Sequence, residues 1–418
     1  MCLRDRSSGL LRRNIYFGID VWAQNKSSFT HPRVTYPKYG GGGTNTGVAV
    51  AKLAELGLSA GIFAPAWSFE HFPGHGRDVE RTVWEGTSFP NNTDCSCGDC
   101  ASRHPRNGQF PIVTHARERA AGSNTFFYTN FSRAFGAHDD KLKDLYGGNH
   151  IHAQLGAQSI PPQPMPAQDK NQAIQLSHRL KTGPDYTFLV IESTQTRPIE
   201  GGFSELWLPL YKLDIAVPPF VCVHYSTPLT SDAVVNLYYK TTAGVLQSSL
   251  EPIVVGTSEL DIGSSWTPGM RIQELGIALE KPPTAAIGET TQLATLLAIS
   301  IQPSPGRHSP PYVDNCIEDL RLEHRGEGEN RHSRLCWEYE DPRPEERIEG
   351  MPYSKTTGPV SHFRIRVDGL YLGRAYALEH ILNKTLLDHI TGRDVDIAII
   401  GVGFDGRKLA ETKCQLRL

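Results

Sequence analysis

The stretch "NIYFGIDVWAQN", Asn14 to Asn25, decides the fold class of the first part of the chain. Up to Trp22 its residues are mostly apolar, with β-branched and aromatic members, and a polar loop follows. A run this continuous is typical of a parallel strand that is covered on both faces. Because only thirteen residues precede it, we expect such a strand to need partners from outside the stretch.

The residues after the loop predict a helix and then a second strand. The segment "TNTGVAVAKLAELGLS" spaces its apolar residues as a helix does, with Asn45 or Thr46 as a possible cap and Gly57 at the C′ position. "SAGIFAPAW" is the next short apolar strand. A strand, a helix and a strand in this order predict parallel pairing with a right-handed crossover.

The pattern changes beyond about Tyr146, where short strand-like runs recur between turn signals without intervening helices. Such runs favour an antiparallel sandwich or jelly roll. "QPSPGRHSPP", Gln302 to Pro311, has the composition of a linker, and the runs after it suit a small seven-strand sandwich of fibronectin type III character. The runs in the first sandwich are "DYTFLVIE", "SELWLPLYKLDIA", "PFVCVHYST", "AVVNLYYKTT", "EPIVVG", "MRIQELGIALE" and "LATLLAISIQ".

Composition excludes several classes of protein. The formal net charge of −3 leaves no electrostatic footprint for nucleic acid or an anionic membrane. No stretch of the sequence reaches the roughly 18 apolar residues that span a bilayer, and the charged N-terminus lacks the apolar region of a secretory signal. The eight cysteines are sparse and irregular apart from one cluster. We therefore expect a reduced, cytosolic setting.

Two strand ends carry candidate binding residues. Asp20 and Trp22 end the first strand, and Trp67 ends the second. In α/β barrels the loops after the strands build the active site, and a tryptophan ring offers a flat face on which a sugar can stack. The alternatives are that both tryptophans cap the barrel rim, and that Asp20 caps its loop and pairs with a basic residue.

The glycine-rich loop "YGGGGTNTG", Tyr39 to Gly47, precedes a helix, which raises the question of phosphate binding. Its glycines fit no dinucleotide spacing, lie far from the first strand, and are followed by no Gly-Lys-Ser/Thr. We interpret it as a flexible loop that lets the backbone approach a bulky ligand.

Two further groups are open to more than one interpretation. Cys95, Cys97, Cys100 and His104 could hold a structural zinc, or they could be free thiols or one local disulfide. Asp20 and Glu70 could form the carboxylate pair of a glycosidase, although the sequence cannot supply the distance between them. We expect no catalytic metal and no cofactor.

The first part of the chain resembles the cytosolic endo-β-N-acetylglucosaminidases of glycoside hydrolase family 85. The stretch "NIYFGIDVWAQN…YGGGGTNTGVAVAKLAELGLSAGIFAPAWSFE" is similar to the late barrel of that family, and "FFYTNFSRAFG" is similar to the segment that follows its barrel. The chain departs from the family pattern at Ala23-Gln24, where Gly-Arg is usual, and at Ala66, where glycine is usual.

The resemblance implies a fold and an activity. The fold would be the last β/α units of a truncated TIM (β/α)8 barrel, strands 7 and 8 plus an insert, over residues 1–145. Two antiparallel β-sandwich domains would follow, jelly-roll-like over 146–304 and fibronectin type III-like over 305–418. The activity would be substrate-assisted, retaining hydrolysis of the β-1,4 bond in the chitobiose core of N-glycans.

In that family an Asn-x-Glu motif on an earlier strand supplies the acid, and no such triplet occurs in these 418 residues. We therefore expect the chain to be inactive alone and assign no catalytic residue. The expected partner is an N-glycan or glycopeptide, with no nucleic acid and no membrane. A non-catalytic carbohydrate-binding or interaction protein is the alternative. The residues expected to contact glycan are Asp20, Trp22, Tyr39, Gly41, Gly42, Gly43 and Trp67.

Overall fold

The computed structural model describes 18 stretches of the chain and consists mostly of β-strands. Contacts divide the chain into two compact units. The first comprises Met1–Glu118, Gln163–Gln168 and Pro209–Leu213, and the second comprises the rest. The described residues are 15–21, 43–63, 66–91, 93, 110–116, 125–131, 164–165, 172–182, 187–199, 202–216, 220–225, 232–244, 246–248, 256–261, 269–303, 316–327, 332–382 and 384–417.

The first unit is built on two neighbouring parallel strands. Strand β1 is Tyr16–Asp20 and strand β2 is Ser59–Phe63, paired from Tyr16↔Ser59 to Asp20↔Phe63. The parallel pairing predicted from the strand–helix–strand order is confirmed. The helices described in this unit are α1 (Thr46–Glu55), α2 (Trp67–His71), α3 (Gly76–Glu85) and α4 (Ile112–His115).

Helix α1 ends where its sequence indicates. Gly57 adopts φ +69°, which is strained for any residue with a Cβ, and its N–H donates to the carbonyl of Ala54 over 3.0 Å. The predicted C′ glycine is therefore confirmed. At the other end, Asn45 precedes the helix but makes no side-chain cap hydrogen bond, and Thr46 instead donates its hydroxyl to the carbonyl of Gly43 over 2.7 Å.

The helices cover one face of the two strands. Ile19 of β1 is buried with Val50 of α1 and Ile112 of α4, and Ala60 and Ile62 of β2 pack against this cluster. The opposite face is exposed, with Tyr16 71% and Phe63 68% accessible. Within this chain β1 is covered on the helix side, where Ile19 is buried, and the expected cover of its other face stays a prediction.

The remaining strands, apart from the stretch Pro209–Leu213, belong to the second unit. A six-stranded sheet has the order β10-β7-β12-β5-β4, with β3 paired to β12, and a four-stranded sheet has the order β6-β11-β8-β9. The strand pairs described within the six-stranded sheet are antiparallel. The bounds are β3 Phe127–Thr129, β4 Ile174–Thr182, β5 Thr187–Gln195, β6 Leu206–Ala216, β7 Phe220–Tyr225, β8 Val234–Thr241, β9 Leu246–Ser248, β10 Gly256–Asp261, β11 Arg271–Lys281 and β12 Thr290–Gln302.

The described residues between 316 and 417 include seven strands in sheets of three and four, ordered β13-β14-β17 and β16-β15-β18-β19. Both sheets contribute to one core, in which the ring of Trp337 meets that of Phe363 edge-on at 5.3 Å. The bounds are β13 Ile317–Arg325, β14 His332–Tyr339, β15 Val360–Val367, β16 Leu370–Ala375, β17 Glu379–Leu382, α5 Lys384–Ile390, β18 Asp394–Gly403 and β19 Lys408–Arg417. The seven strands were expected. The fibronectin and jelly-roll likenesses, and the three domain boundaries, stay predictions.

The segment Thr125–Phe131 links these sheets. Its strand β3 pairs with residues 299–301 of β12, while Thr125 donates its hydroxyl to the carbonyl of Gly350 over 3.0 Å. The hydroxyl of Tyr128 lies over Gly406, so close that a Cβ there would be 1.8 Å from it. The segment is therefore anchored both in the six-stranded sheet and in the residues around the last seven strands.

Candidate functional site

The carboxyl ends of β1 and β2 place two exposed side chains on the face that the helices leave uncovered. Asp20 is exposed, and its register partner across the sheet is Phe63. Residues at paired positions of neighbouring strands project to the same face. A carboxylate and an aromatic ring therefore stand side by side at the end of the sheet where barrel enzymes build their sites. Phe63 was not among the predicted site residues, although its register follows from aligning the two strands.

The same face is open next to this pair. Gly18 pairs with Gly61, two residues before Asp20 and Phe63 and on the same face of the strands. A Cβ at Gly18 would meet nothing within 4 Å, and one at Gly61 would only touch a carbonyl oxygen at 4.0 Å. Glycines leave the backbone bare, so a ligand bound beside Asp20 can approach the sheet closely.

The glycine-rich loop returns to the end of β1. Gly43 is buried with φ +57°, and its N–H donates to the carbonyl of Val21 over 2.9 Å. Gly43 therefore lies against Val21, the residue that follows Asp20. Trp22, Tyr39, Gly41 and Gly42 lie outside the described residues, so their predicted contacts with glycan stay predictions.

Trp67 begins helix α2 just after β2, and its side chain is only 3% exposed. Its ring stacks on His71 at 5.1 Å and meets Phe72 edge-on at 5.2 Å. Val21 and Val79 complete this cluster. The ring therefore supports the strand ends from within the unit. Its predicted contact with a sugar is untested, because neighbouring residues 64–65 are outside the described part of the chain.

His71 is the titratable group that the sequence reasoning missed at these strand ends. It is buried against Trp67 and Phe72. Burial lowers the pKa of its imidazole, because a buried ring loses the hydration of its charged form. The neutral imidazole is thus favoured at pH 7, where it packs as an aromatic ring and not as a cation.

The other candidate groups are not brought to this site within the described residues. Glu70 is exposed on α2, and the structure gives no contact between it and Asp20. Cys95, Cys97, Cys100 and His104 lie outside the described residues, so zinc binding by them stays a prediction. Across the stretches that are described, no three His, Cys, Asp or Glu side chains gather as a metal site.

No helix in the described part of the chain combines the length and apolar character that crossing a bilayer requires.

The fold and the strand ends define a class: a parallel β/α unit with a carboxylate and an aromatic ring at its strand ends, followed by antiparallel β-sheets. Residues 3–139 match the model of glycosyl hydrolase family 85. The resemblance to that family is therefore confirmed for this segment, which contains Asp20, Gly43, Phe63 and Trp67.

Solved structures include chains that are similar to this one. The chain is similar to the glycoside hydrolase domain of Endo-D from Streptococcus pneumoniae R6, with a TM-score of 0.50 and 11% identity, covering 97% of this chain and 58% of that one. It is also similar, with a TM-score of 0.28 and 12% identity, to a β-1,2-glucanase from Parabacteroides distasonis, covering 59% and 36%. The chain thus spans little more than half of the Endo-D domain. A search of curated proteins found no match.

Proposed function

We propose that this chain is the C-terminal portion of a glycoside hydrolase of the endo-β-N-acetylglucosaminidase kind. Its substrate would be an N-glycan or glycopeptide, cleaved at the β-1,4 bond between the two core GlcNAc residues. The observation that carries the proposal is the pairing of Asp20 with Phe63 at exposed carboxyl strand ends, within a segment that matches family 85. A cytosolic location is part of the proposal.

In this proposal, β1 and β2 would belong to a barrel that further strands would complete. In a (β/α)8 barrel, side chains on the inner face fill the interior in layers and helices cover the outer face. Strands β1 and β2 have their helices on one side, around Ile19 and Ile62. On the other side Tyr16 and Phe63 are exposed. Further strands would cover these rings, and the longer Endo-D domain has room for them.

Each residue at the strand ends has a proposed role in binding. The carboxylate of Asp20 would accept hydrogen bonds from sugar hydroxyls, and charged acceptors make the stronger hydrogen bonds. The ring of Phe63 would stack on the apolar face of a sugar. Gly43 would hold the loop that contains Trp22 and Tyr39 against the end of β1 through its hydrogen bond to Val21.

Cleavage would depend on residues beyond this sequence. By the resemblance to family 85, the substrate's own 2-acetamido oxygen attacks the anomeric carbon, a Glu protonates the leaving oxygen, and an Asn two residues earlier orients the acetamido group. The 418 residues contain no Asn-x-Glu triplet. The proposed contribution of this chain is therefore to bind and position the glycan.

Binding tests the proposal directly. We expect the full chain to bind a high-mannose glycan that retains its chitobiose core in isothermal titration calorimetry. Asp20→Asn should weaken binding about tenfold, the equivalent of the ~1.4 kcal/mol that one charged hydrogen bond contributes. Asp394→Asn is the matched control, since Asp394 is an exposed carboxylate at the start of β18. Equal effects of the two substitutions would contradict the proposed site.

Turnover distinguishes the remaining alternatives. We expect no glycan to be released from a high-mannose glycopeptide by the chain alone. Release that Asp20→Asn and Glu70→Gln both abolish would instead support a carboxylate pair. Binding that survives Asp20→Asn, with no release, would favour a non-catalytic carbohydrate-binding protein whose site lies in the β-sandwiches.

A further inference from the structure

A buried asparagine lies in the middle of strand β8. Asn236 is flanked by the buried Val235 and Leu237 and is itself only 2% exposed. Its Nδ2 donates to Oε1 of Glu280 over 2.5 Å. Its Oδ1 is buried and has no hydrogen-bond partner in the described part of the chain. Burying an amide oxygen without a donor costs free energy of folding, and a bound ligand would remove that cost.

Glu280 reaches Asn236 because strand β11 contains a bulge. Leu279 pairs with Val235 and Lys281 pairs with Val234, so Glu280 is an extra residue opposite β8. A bulge turns the extra side chain out of the regular alternation, and bulges are frequent next to functional sites. Here the bulge points the carboxylate at the buried amide.

A second carboxylate lies on the same face of the sheet. Trp207 meets the ring of Tyr238 edge-on at 4.7 Å, and Tyr238 is two residues from Asn236, hence on its face. Glu205 is two residues before Trp207, directly ahead of β6, and is close enough to Glu280 to be affected by its charge. Its Oε1 is buried and without a partner among the described residues. Burial and the negative charge of Glu280 raise the pKa of Glu205.

The cluster therefore combines two carboxylates with a buried amide oxygen that has no donor among the described residues. Neither Glu205 nor Glu280 takes part in an ion pair within the described residues. The nearest residue in sequence that could serve, Lys281, has its Nζ 3.9 Å from Asp232. Two carboxylates and an amide oxygen are ligands that suit a hard divalent cation.

We propose that Asn236, Glu280 and Glu205 bind Ca²⁺ on this face of the sheet. Calcium accepts carboxylate and amide oxygens in a flexible coordination sphere completed by water. The ion would give Oδ1 of Asn236 and Oε1 of Glu205 a partner and would separate the two like charges. With two carboxylates, the affinity should be weak, with a Kd on the order of 10⁻⁴ to 10⁻³ M.

Titration of the chelator-treated full chain with CaCl₂ tests the site by calorimetry and by melting temperature. We expect saturable binding and a melting temperature that rises on the order of 5 °C at ~10 mM Ca²⁺. Glu280→Gln and Glu205→Gln keep the shape of each side chain and should each weaken binding at least about tenfold. Glu349→Gln removes an exposed carboxylate elsewhere and should change nothing.

Asn236→Asp separates a cation site from a merely hydrogen-bonded cluster. A third carboxylate should lower the melting temperature without metal, because it repels Glu280, and should tighten Ca²⁺ binding. The proposal is overturned if the chain shows no Ca²⁺-dependent heat or melting shift, or if Glu280→Gln binds as the natural chain does. Equal binding of Mg²⁺ would overturn the assignment to calcium, since Mg²⁺ demands a tighter octahedral site.

Discussion

Gly406 offers a quantitative test of how the segment Thr125–Phe131 is anchored. It closes the turn between β18 and β19, where its N–H donates to the carbonyl of Gly403 over 3.0 Å. Its φ is +80°. A Cβ at this position would lie 1.8 Å from the hydroxyl oxygen of Tyr128 and 2.4 Å from Cζ. Substitution by alanine therefore introduces both backbone strain and a steric overlap.

The two effects add to a large loss of stability. A left-handed backbone costs an L-residue roughly 1–2 kcal/mol, and overpacking costs typically about 1–3 kcal/mol. We expect Gly406→Ala to lower the free energy of unfolding by about 2–5 kcal/mol. Gly392→Ala is the control for strain alone, because Gly392 has φ +83° and nothing within 4 Å of the Cβ position. It should cost only about 1–2 kcal/mol.

Chemical denaturation of the variants, combined with Tyr128→Phe, measures the contact itself. Burial, together with the charge of Asp405, raises the pKa of Tyr128 to about 12, so its hydroxyl is protonated at pH 7. Tyr128→Phe removes the atom at 1.8 Å and leaves Cζ at 2.4 Å. The double variant should recover part of the loss, by about 1 kcal/mol or more. Equal losses for Gly406→Ala and Gly392→Ala would refute the reasoning.

Other substitutions probe the remaining sheets. Gly276→Ala should destabilise the chain by more than about 2 kcal/mol, since its Cβ would lie 2.5 Å from the ring of Tyr238. Gly18→Ala should be near neutral in thermal denaturation, because a Cβ at Gly18 would have no atom within 4 Å. Burial lowers the pKa of His380 to about 4. Between pH 6.5 and 4 the unfolded chain therefore binds a proton that the folded chain does not, and the free energy of unfolding should fall by about 1.4 kcal/mol for each pH unit of acidification. The substitution His380→Gln should flatten that slope in melting curves. Phe63→Ser should reduce aggregation in light scattering without lowering the melting temperature, because the ring is 68% exposed.

The local sequence pattern was sufficient to predict several individual helices and strands. The apolar periodicity and Gly57 placed helix α1 to within a residue or two, and alternating runs located β5, β6, β8, β11 and β12. Strand β4, at Ile174–Thr182, was missed because His178 interrupts the apolar face that Ile174, Leu176 and Leu180 form. Helix α5 was missed because its seven residues are too short to show a period.

The candidate site, too, was only partly predictable from the sequence. The sequence indicated Asp20 and the glycine-rich loop, because a strand end followed by glycines is visible in the letters. It did not indicate Phe63, whose place beside Asp20 depends on the register of β1 and β2. Nor did it indicate that Trp67 is buried by Phe72 and Val79, which depends on how helices α2 and α3 fold back.

The sequence by itself determined the kinship of residues 3–139 and most of the order of strands and helices, because propensity and periodicity act over a few neighbouring residues. Only the tertiary structure decided which face of β1 is bare, that Tyr128 meets Gly406, and that Glu280 meets Asn236. These contacts join residues more than 40 positions apart. They arise from strand register, bulges and side-chain packing, which no local pattern encodes.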